Sequence, residues 1–276
     1  MTSAAERWRE QLEGWSIPEE IVARAPESPW GFSRELFSRR AEAAGATDMT
    51  PTTLRGLEAL PTGGTVLDVG VGGGAASLPL ASRAGLIVGV DGQQDMLEAF
   101  QENAATRGVE VRTVLGSWPD VGSDVEGADV VVAGHVIYNT ADPASFVRAL
   151  DEHARHRVVL ELTERHPLEW MRDLWMRFHS LERPHGPNVQ DAIEILEELG
   201  FDVEREDRTV TSQQGGGGFA RRDGAIHLVR KRLCLPADRD PEIEEALGDR
   251  LRRVGDLWDI GPDPRTIVTV WWDSAS

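Results

Sequence analysis

The spacing of apolar positions changes twice along the chain. Over the first sixty residues they recur at helical intervals in separate pieces, 3–14, a short piece after Pro18, 33–44 and 50–60, punctuated by Pro26, Pro29, Gly45 and Pro61. From Gly64 the period shortens. Apolar, β-branched runs predict strands in TVLDVG, LIVGVD, VEVRTVLG, ADVVVAGH and RVVLELT, and between them LPLASRAG, DMLEAFQENAATRG and PASFVRALDEHA predict helices. Strand and helix alternating over about 100 residues, with strands apolar on both sides, predict a doubly wound, Rossmann-like parallel sheet covered by helices on both faces.

After Thr163 the alternation stops. HPLEWMRDLWMRFHSL carries Trp170, Met171, Leu174, Trp175 and Phe178 at helical spacing, and PHGPN must be a loop. There follow a helix in VQDAIEILEELG, a strand in FDVEREDRTVTS, the stretch QQGGGG, helices in RRDGAIHLVRKRL and DPEIEEALGDRLRRV, and a last strand in TIVTVWWD. The sum is a mostly parallel seven-stranded sheet with an antiparallel last strand. The expected organisation is a helical cap over 1–60 and a sheet domain over 61–276, with helical insertions at about 164–190 and 214–255.

Composition narrows the chemistry. The 276 residues carry a formal net charge of −18, which counts against a surface built to neutralise nucleic-acid phosphates. Of 29 basic residues only Lys231 is a lysine, which removes a phosphate-binding P-loop and disfavours Schiff-base chemistry. The single cysteine, Cys234, makes neither an internal disulfide nor a thiolate metal cluster, so no metal site is expected. The N-terminal stretch MTSAAERWREQLEGW has charges among its apolar positions and reads as neither a signal peptide nor a membrane span, so a cytoplasmic protein is expected.

The chemistry concentrates in VLDVGVGGGAASLPLA, where Gly70, Gly72, Gly73 and Gly74 follow a predicted strand. Glycines there let backbone N–H groups approach a ligand, and a helix beginning near Ala75 would point its positive end at it. Asp91 ends the next strand, 21 residues beyond Gly70, close to the spacing of about 20 at which an acid meets ribose hydroxyls. Together they predict a nucleoside-containing ligand. Gly70, Gly72 and Ala75 also satisfy the looser dinucleotide fingerprint, which keeps nicotinamide oxidoreduction open.

The fuller string LDVGVGGG, with GVDGQQDML and LGSWPD downstream, resembles the class I S-adenosylmethionine-dependent methyltransferase family, over about residues 50–165 and more loosely to 204 and at TVWWD. The resemblance implies S-adenosyl-L-methionine as the methyl donor. It implies that Asp68, Gly70, Gly72 and Gly74 line its methionine and ribose part, that Asp91 holds the ribose hydroxyls, and that Met96, Ser117 and Trp118 flank adenine. Ser117 stands where the family often has an acid. Gly134 and His135 fall where groups face the sulfonium and the methyl acceptor.

His135 is the candidate general base, with Tyr138 and His166 as fallbacks. The Asn/Asp-Pro-Pro-Tyr/Phe motif of amide- and amine-methylating members and the Pro-Cys of pyrimidine-carbon methylating members are missing from AGHVIYN and RLCLP. GHVIYNTADPASFVRAL resembles the small-molecule branch. Trp30, Phe32, Trp170 and Trp175 are candidates for an apolar lid over the acceptor, or for packing the helical layers onto the sheet. A small-molecule methyltransferase is expected. A macromolecular acceptor reached through Arg221, Arg222, Arg230, Lys231 and Arg232, and a non-catalytic S-adenosylmethionine-binding protein, stay open.

Overall fold

The computed structural model describes residues 2–31, 34–44, 49–214 and 218–274. Phe32 and most of the QQGGGG glycines lie outside the described residues.

Seven strands form the main sheet: β1 (Gly64–Val69), β2 (Ala84–Asp91), β3 (Glu110–Leu115), β4 (Ala128–Gly134), β5 (Ala154–Thr163), β6 (Glu204–Val210) and, after the two-stranded hairpin β7 (Leu251–Val254) and β8 (Leu257–Ile260), β9 (Arg265–Asp273). Their order is β3-β2-β1-β4-β5-β9-β6. The first five run parallel, and β9 lies antiparallel between β5 and β6. The carboxyl ends of β1 to β6 and the amino end of β9 therefore share one edge of the sheet. The order reverses between β1 and β4, the place where an open α/β sheet offers a crevice to a ligand.

The helices are α1 (Ala4–Glu13), α2 (Glu19–Val22), α3 (Arg34–Ala44), α4 (Pro51–Ala59), α5 (Gln94–Ala105), α6 (Pro143–His153), α7 (Arg172–His179), α8 (Val189–Glu198), α9 (Arg222–Arg232) and α10 (Asp240–Leu247). Their starts follow from local chemistry. Ser3 caps α1 by accepting from Glu6 N–H in a capping box, Asn188 does the same for α8 with Asp191, and Asp142 caps α6 ahead of Pro143.

Alternation along the strands sorts the core into two layers. Leu67, Val131 and Val158 face Trp8, Phe146 and Leu196 beneath α1, α6 and α8. Val66, Val130 and Val159 face the opposite way, toward Leu80, Leu97 and Phe100. The first sixty residues are thus divided: α1 packs on α8 and α6, whereas α4 packs on β5 and β9 across the sheet. A third cluster joins α7, α9 and α10 through Leu174, Trp175, Ile226, Val229 and Ile243.

Two predicted helices fold otherwise. The stretch after the glycine loop is a run of turns ending in a 3-10 helix at Leu78–Leu80, because Pro79 has no N–H to continue a helical ladder. The segment DPEIEEALGDRLRRV is α-helical only to Leu247; Gly248, at φ +51°, ends α10, a 3-10 turn follows over Gly248–Arg250, and LRRV becomes strand β7. The turn of that hairpin is Gly255-Asp256, with Gly255 at φ +59°, a two-residue turn signal readable in VGDL.

Candidate active site at the carboxyl edge

The glycine loop begins at the end of β1, where Gly70 and Val71 N–H both donate to Val90 carbonyl of β2. Gly70 has φ +72°, and a Cβ there would lie 2.6 Å from Val136 Cγ2, so the ends of β1 and β4 meet only because a side chain is missing. Gly72 has φ +50°, and a Cβ there would lie 2.7 Å from the Phe37 ring on α3. Helix α3 therefore covers the loop, a relationship with no local sequence signal. Gly74 N–H closes the loop onto Val71 carbonyl.

Two acids frame this loop. Asp68, 1% exposed, accepts from Ser77 Oγ at 2.5 Å, while its Oδ1 is buried with no partner among the described residues. Burial pushes its carboxyl up to about 7; the Ser77 hydrogen bond opposes this and the Asp91 charge adds to it. Asp91 accepts from Gly72 N–H at 3.0 Å and Gln93 N–H at 2.9 Å, and burial raises its carboxyl against those bonds. The Ser117 hydroxyl lies beside Gly92, 3.9 Å from where a Cβ would stand. Met96 is buried in the first turn of α5. A cradle open to backbone approach and an orphaned carboxylate oxygen fit a nucleoside ligand that carries an ammonium group.

Across the switch point, Gly134 faces Ala76, and His135 stands in a left-handed conformation at φ 59°. Its backbone N–H donates to Glu161 carbonyl at 2.7 Å, and its Nε2 lies 3.4 Å from Glu161 Oε1. The other ring nitrogen, Nδ1, is buried with no partner among the described residues. Glu161 Oε2 accepts from Thr52 Oγ1 of α4 at 2.6 Å, and Thr52 in turn meets Thr269 of β9 at 2.9 Å. Burial pushes the Glu161 carboxyl up, but His135, Thr52 and the charge of Arg208 overcome it and hold the group at about 2. The dyad is thus an imidazole oriented by an ionised carboxylate. Sequence reasoning missed Glu161, although one acid between Leu160 and Leu162 near the end of a buried strand was there to be read.

Three expected site residues have other partners. Trp118 donates its indole N–H to Phe146 carbonyl at 3.3 Å and packs edge-on to His153, against the α6 layer. Tyr138 is 5% exposed, stacks on Trp8 and donates its hydroxyl to Thr163 carbonyl at 2.8 Å; burial raises it far above the ordinary phenol range, which unsuits it as a base. His166 stacks on Trp15, accepts from Leu168 N–H, and is pushed down to about 4 by burial, leaving it a neutral core group. Of the lid candidates, Trp175 is buried in the third cluster and Trp170 packs against it, whereas Trp30 is 56% exposed. Among the described residues no group of three or more His, Cys, Asp or Glu is placed to hold a metal ion, and no helix is long and apolar enough to cross a membrane.

A Rossmann-like sheet with the antiparallel strand next to its edge, a glycine loop after β1 and an acid closing β2 is an arrangement suited to a nucleoside at the switch point. Residues 66–157 match the family model described as Methyltransferase domain. Over those residues the chain is similar to a methyltransferase domain. Two curated relatives are ubiquinone biosynthesis O-methyltransferases: one from Azorhizobium caulinodans, 36% identical over 87 residues, and one from Methylobacterium sp. (strain 4-46), 34% identical over 104 residues. Those alignments cover 32% and 38% of this chain, and the chain spans only 34% and 39% of the two relatives. Among solved structures, a candidate methyltransferase from Bacillus halodurans C-125 superposes with a TM-score of 0.52 at 15% identity, covering 83% of this chain and 99% of that one. The YcgJ protein of Bacillus subtilis gives 0.50 at 17% identity, covering 82% and 98%. These two establish the likeness of fold.

Proposed function

We propose that the protein transfers a methyl group from S-adenosylmethionine to a hydroxyl oxygen of a small molecule, with His135 taking the proton and Glu161 positioning His135. Bound at the glycine loop, the donor supplies an electrophilic methyl on a sulfonium that needs no further activation as a leaving group. The chain's own residues then have two tasks, to hold the acceptor oxygen in line and to remove its proton; alignment alone supplies on the order of 7 to 11 kcal/mol in well-ordered cases. Asp68 and the loop N–H groups would receive the donor's amino-acid end, and Asp91 its ribose.

The observation that carries the reading is the His135–Glu161 pair on β4 and β5, beside the loop on β1. A small acceptor is favoured over a polyanion because the arginines at and on α9 are already engaged: Arg221 with Asp223, Arg222 with Glu244, Arg230 with Asp240, and Arg232 with Pro29 and Gly31 carbonyls. The likeness to ubiquinone O-methyltransferases over part of the chain supports oxygen as the accepting atom. The test is calorimetry with S-adenosylhomocysteine and, separately, oxidised nicotinamide dinucleotide, followed by incubation with methyl-labelled donor and a small-molecule extract of the source organism. Binding of the homocysteine compound and label in an alkali-stable ether bear the proposal out; binding of the dinucleotide alone, or label only in macromolecules, refutes it.

A further inference from the structure

Most arginines of this chain have a carboxylate: Arg55 meets Glu206 at 2.8 Å, Arg157 meets Asp273 at 2.7 Å, and Arg250 meets Asp173 at 2.8 Å. Arg40, Arg208 and Arg265 form neither an ion pair nor a guanidinium hydrogen bond with any described residue, and Arg208 Nε is buried without a partner. Arg148, exposed on α6, is likewise unpaired but has water to solvate it; the other three are partly buried, and in a chain with 47 acidic residues they call for a physical account. A desolvated guanidinium lacking an acceptor is costly, and an anion with matching geometry offsets part of that cost.

All three converge on the candidate site. On the sheet face that α4 covers, Glu161 pairs with Thr269 and Thr269 with Glu206; the next rung of that face carries Thr163, Ile267 and Arg208, and the one beyond it Arg265 and Val210. Arg208 and Arg265 thus stand at the carboxyl edge on the same side as Glu161. Arg40 comes from α3 with its guanidinium over the Phe37 ring, within electrostatic reach of Arg265, Asp259 and Glu161. Burial and Arg265 push Arg40 down to about 10. The nearby carboxylates are committed elsewhere, Asp259 to Arg252 and Ser212, Glu161 to His135 and Thr52.

We infer that the methyl acceptor is an organic acid, its anionic group held by Arg208, Arg265 and Arg40 while its hydroxyl reaches His135. The inference rests on the methyltransferase reading and adds the acceptor's chemical class. A guanidinium fork matches a carboxylate and a phosphate equally well. Strand spacing of about 4.8 Å sets β6 about 10 Å from β5, so the acid and the reacting hydroxyl belong to opposite ends of the acceptor.

The test uses the full chain saturated with S-adenosylhomocysteine and three probes that share a phenol ring: 4-hydroxybenzoate, 4-hydroxyphenyl phosphate and the neutral 4-hydroxybenzamide. At least one acid is expected to bind about tenfold or more tightly than the amide, as a charge-assisted contact implies, and the better acid identifies carboxylate or phosphate. Arg208→Gln and Arg265→Gln, each checked for an unchanged thermal midpoint, should erase most of that preference while S-adenosylhomocysteine binds as before. An amide that binds as tightly as the acids, no measurable binding of any probe, or a preference that survives both substitutions overturns the inference. Failure of the wild-type chain to bind S-adenosylhomocysteine instead overturns the methyltransferase reading beneath it.

Discussion

His135 and Glu161 are joined twice: the backbone N–H of one donates to the carbonyl of the other at 2.7 Å, and their side chains approach to 3.4 Å. The pairing of β4 with β5 therefore fixes both the position and the partner of the imidazole, and the ring keeps its place without help from substrate. His135→Ala is expected to lower kcat by about 100- to 10,000-fold. Glu161→Gln should lower kcat less and leave S-adenosylhomocysteine affinity unchanged. Rate profiles from pH 5 to 9 check both, and full activity of the alanine variant would reduce catalysis here to placement.

Glu161 also ties the dyad to acid stability. Its folded value of about 2 lies below the ordinary 4.5, so the folded state binds that proton less readily than the unfolded chain. The stabilisation is complete above pH 4.5 and is lost as pH falls toward 2. Glu161→Gln should flatten that part of the acid-unfolding curve, measured by denaturant titration at stepped pH.

Asp68 has the opposite sign. Its carboxyl is raised from 3.8 to about 7, so folding is favoured below pH 3.8 and that advantage declines as pH rises toward 7. An ammonium-bearing ligand that pairs with the ionised form must displace the proton below pH 7, and affinity should fall by about tenfold per pH unit there. Calorimetry of S-adenosylhomocysteine in buffers of different ionisation enthalpy should find close to one proton released at pH 6 and fewer at pH 8. Asp68→Asn should abolish the difference.

The contact of Phe37 with Gly72 predicts a compensating pair. Gly72→Ala meets a left-handed φ and a ring 2.7 Å away, and should cost about 1–3 kcal/mol of stability together with most of the cofactor affinity. Phe37→Ala in the same chain should recover the steric share and leave the backbone share. Additive losses in chemical denaturation would show that ring and glycine do not interact.

Tyr138→Phe removes one hydrogen bond, to Thr163 carbonyl, and should cost about 1 kcal/mol of stability with kcat unchanged. A large loss of kcat at unchanged stability would return Tyr138 to the list of bases.

Features written in contiguous residues were legible in the sequence. The strands β1 to β5, the glycine loop and Asp91 at the close of β2 each follow from apolar runs and their punctuation. Features that depend on two distant segments were not. Nothing near Phe37 announces that it lies on Gly72, and Thr52 reaches Glu161 only because α4 packs across β5 and β9. Trp118 and Tyr138 stand at sequence positions suited to the site, yet packing energy drew both into the layer of α1 and α6. Local spacing brings a residue to the right edge of a sheet; which way its side chain turns is decided by the neighbours it can bury against.

The place of β9 between β5 and β6 has a consequence for how such a protein changes over time. The residues we propose to face the donor, Asp68 to Ser117, lie in one early stretch, and the match to the methyltransferase family model falls over 66–157. Arg208 and Arg265 come from later, separate stretches that reach the same edge only because β9 runs backwards. Drift or recombination downstream of about residue 164 can rewrite what is methylated and leave the source of the methyl group intact, so divergence among descendants of this chain should accumulate at the β6 and β9 ends of the sheet first.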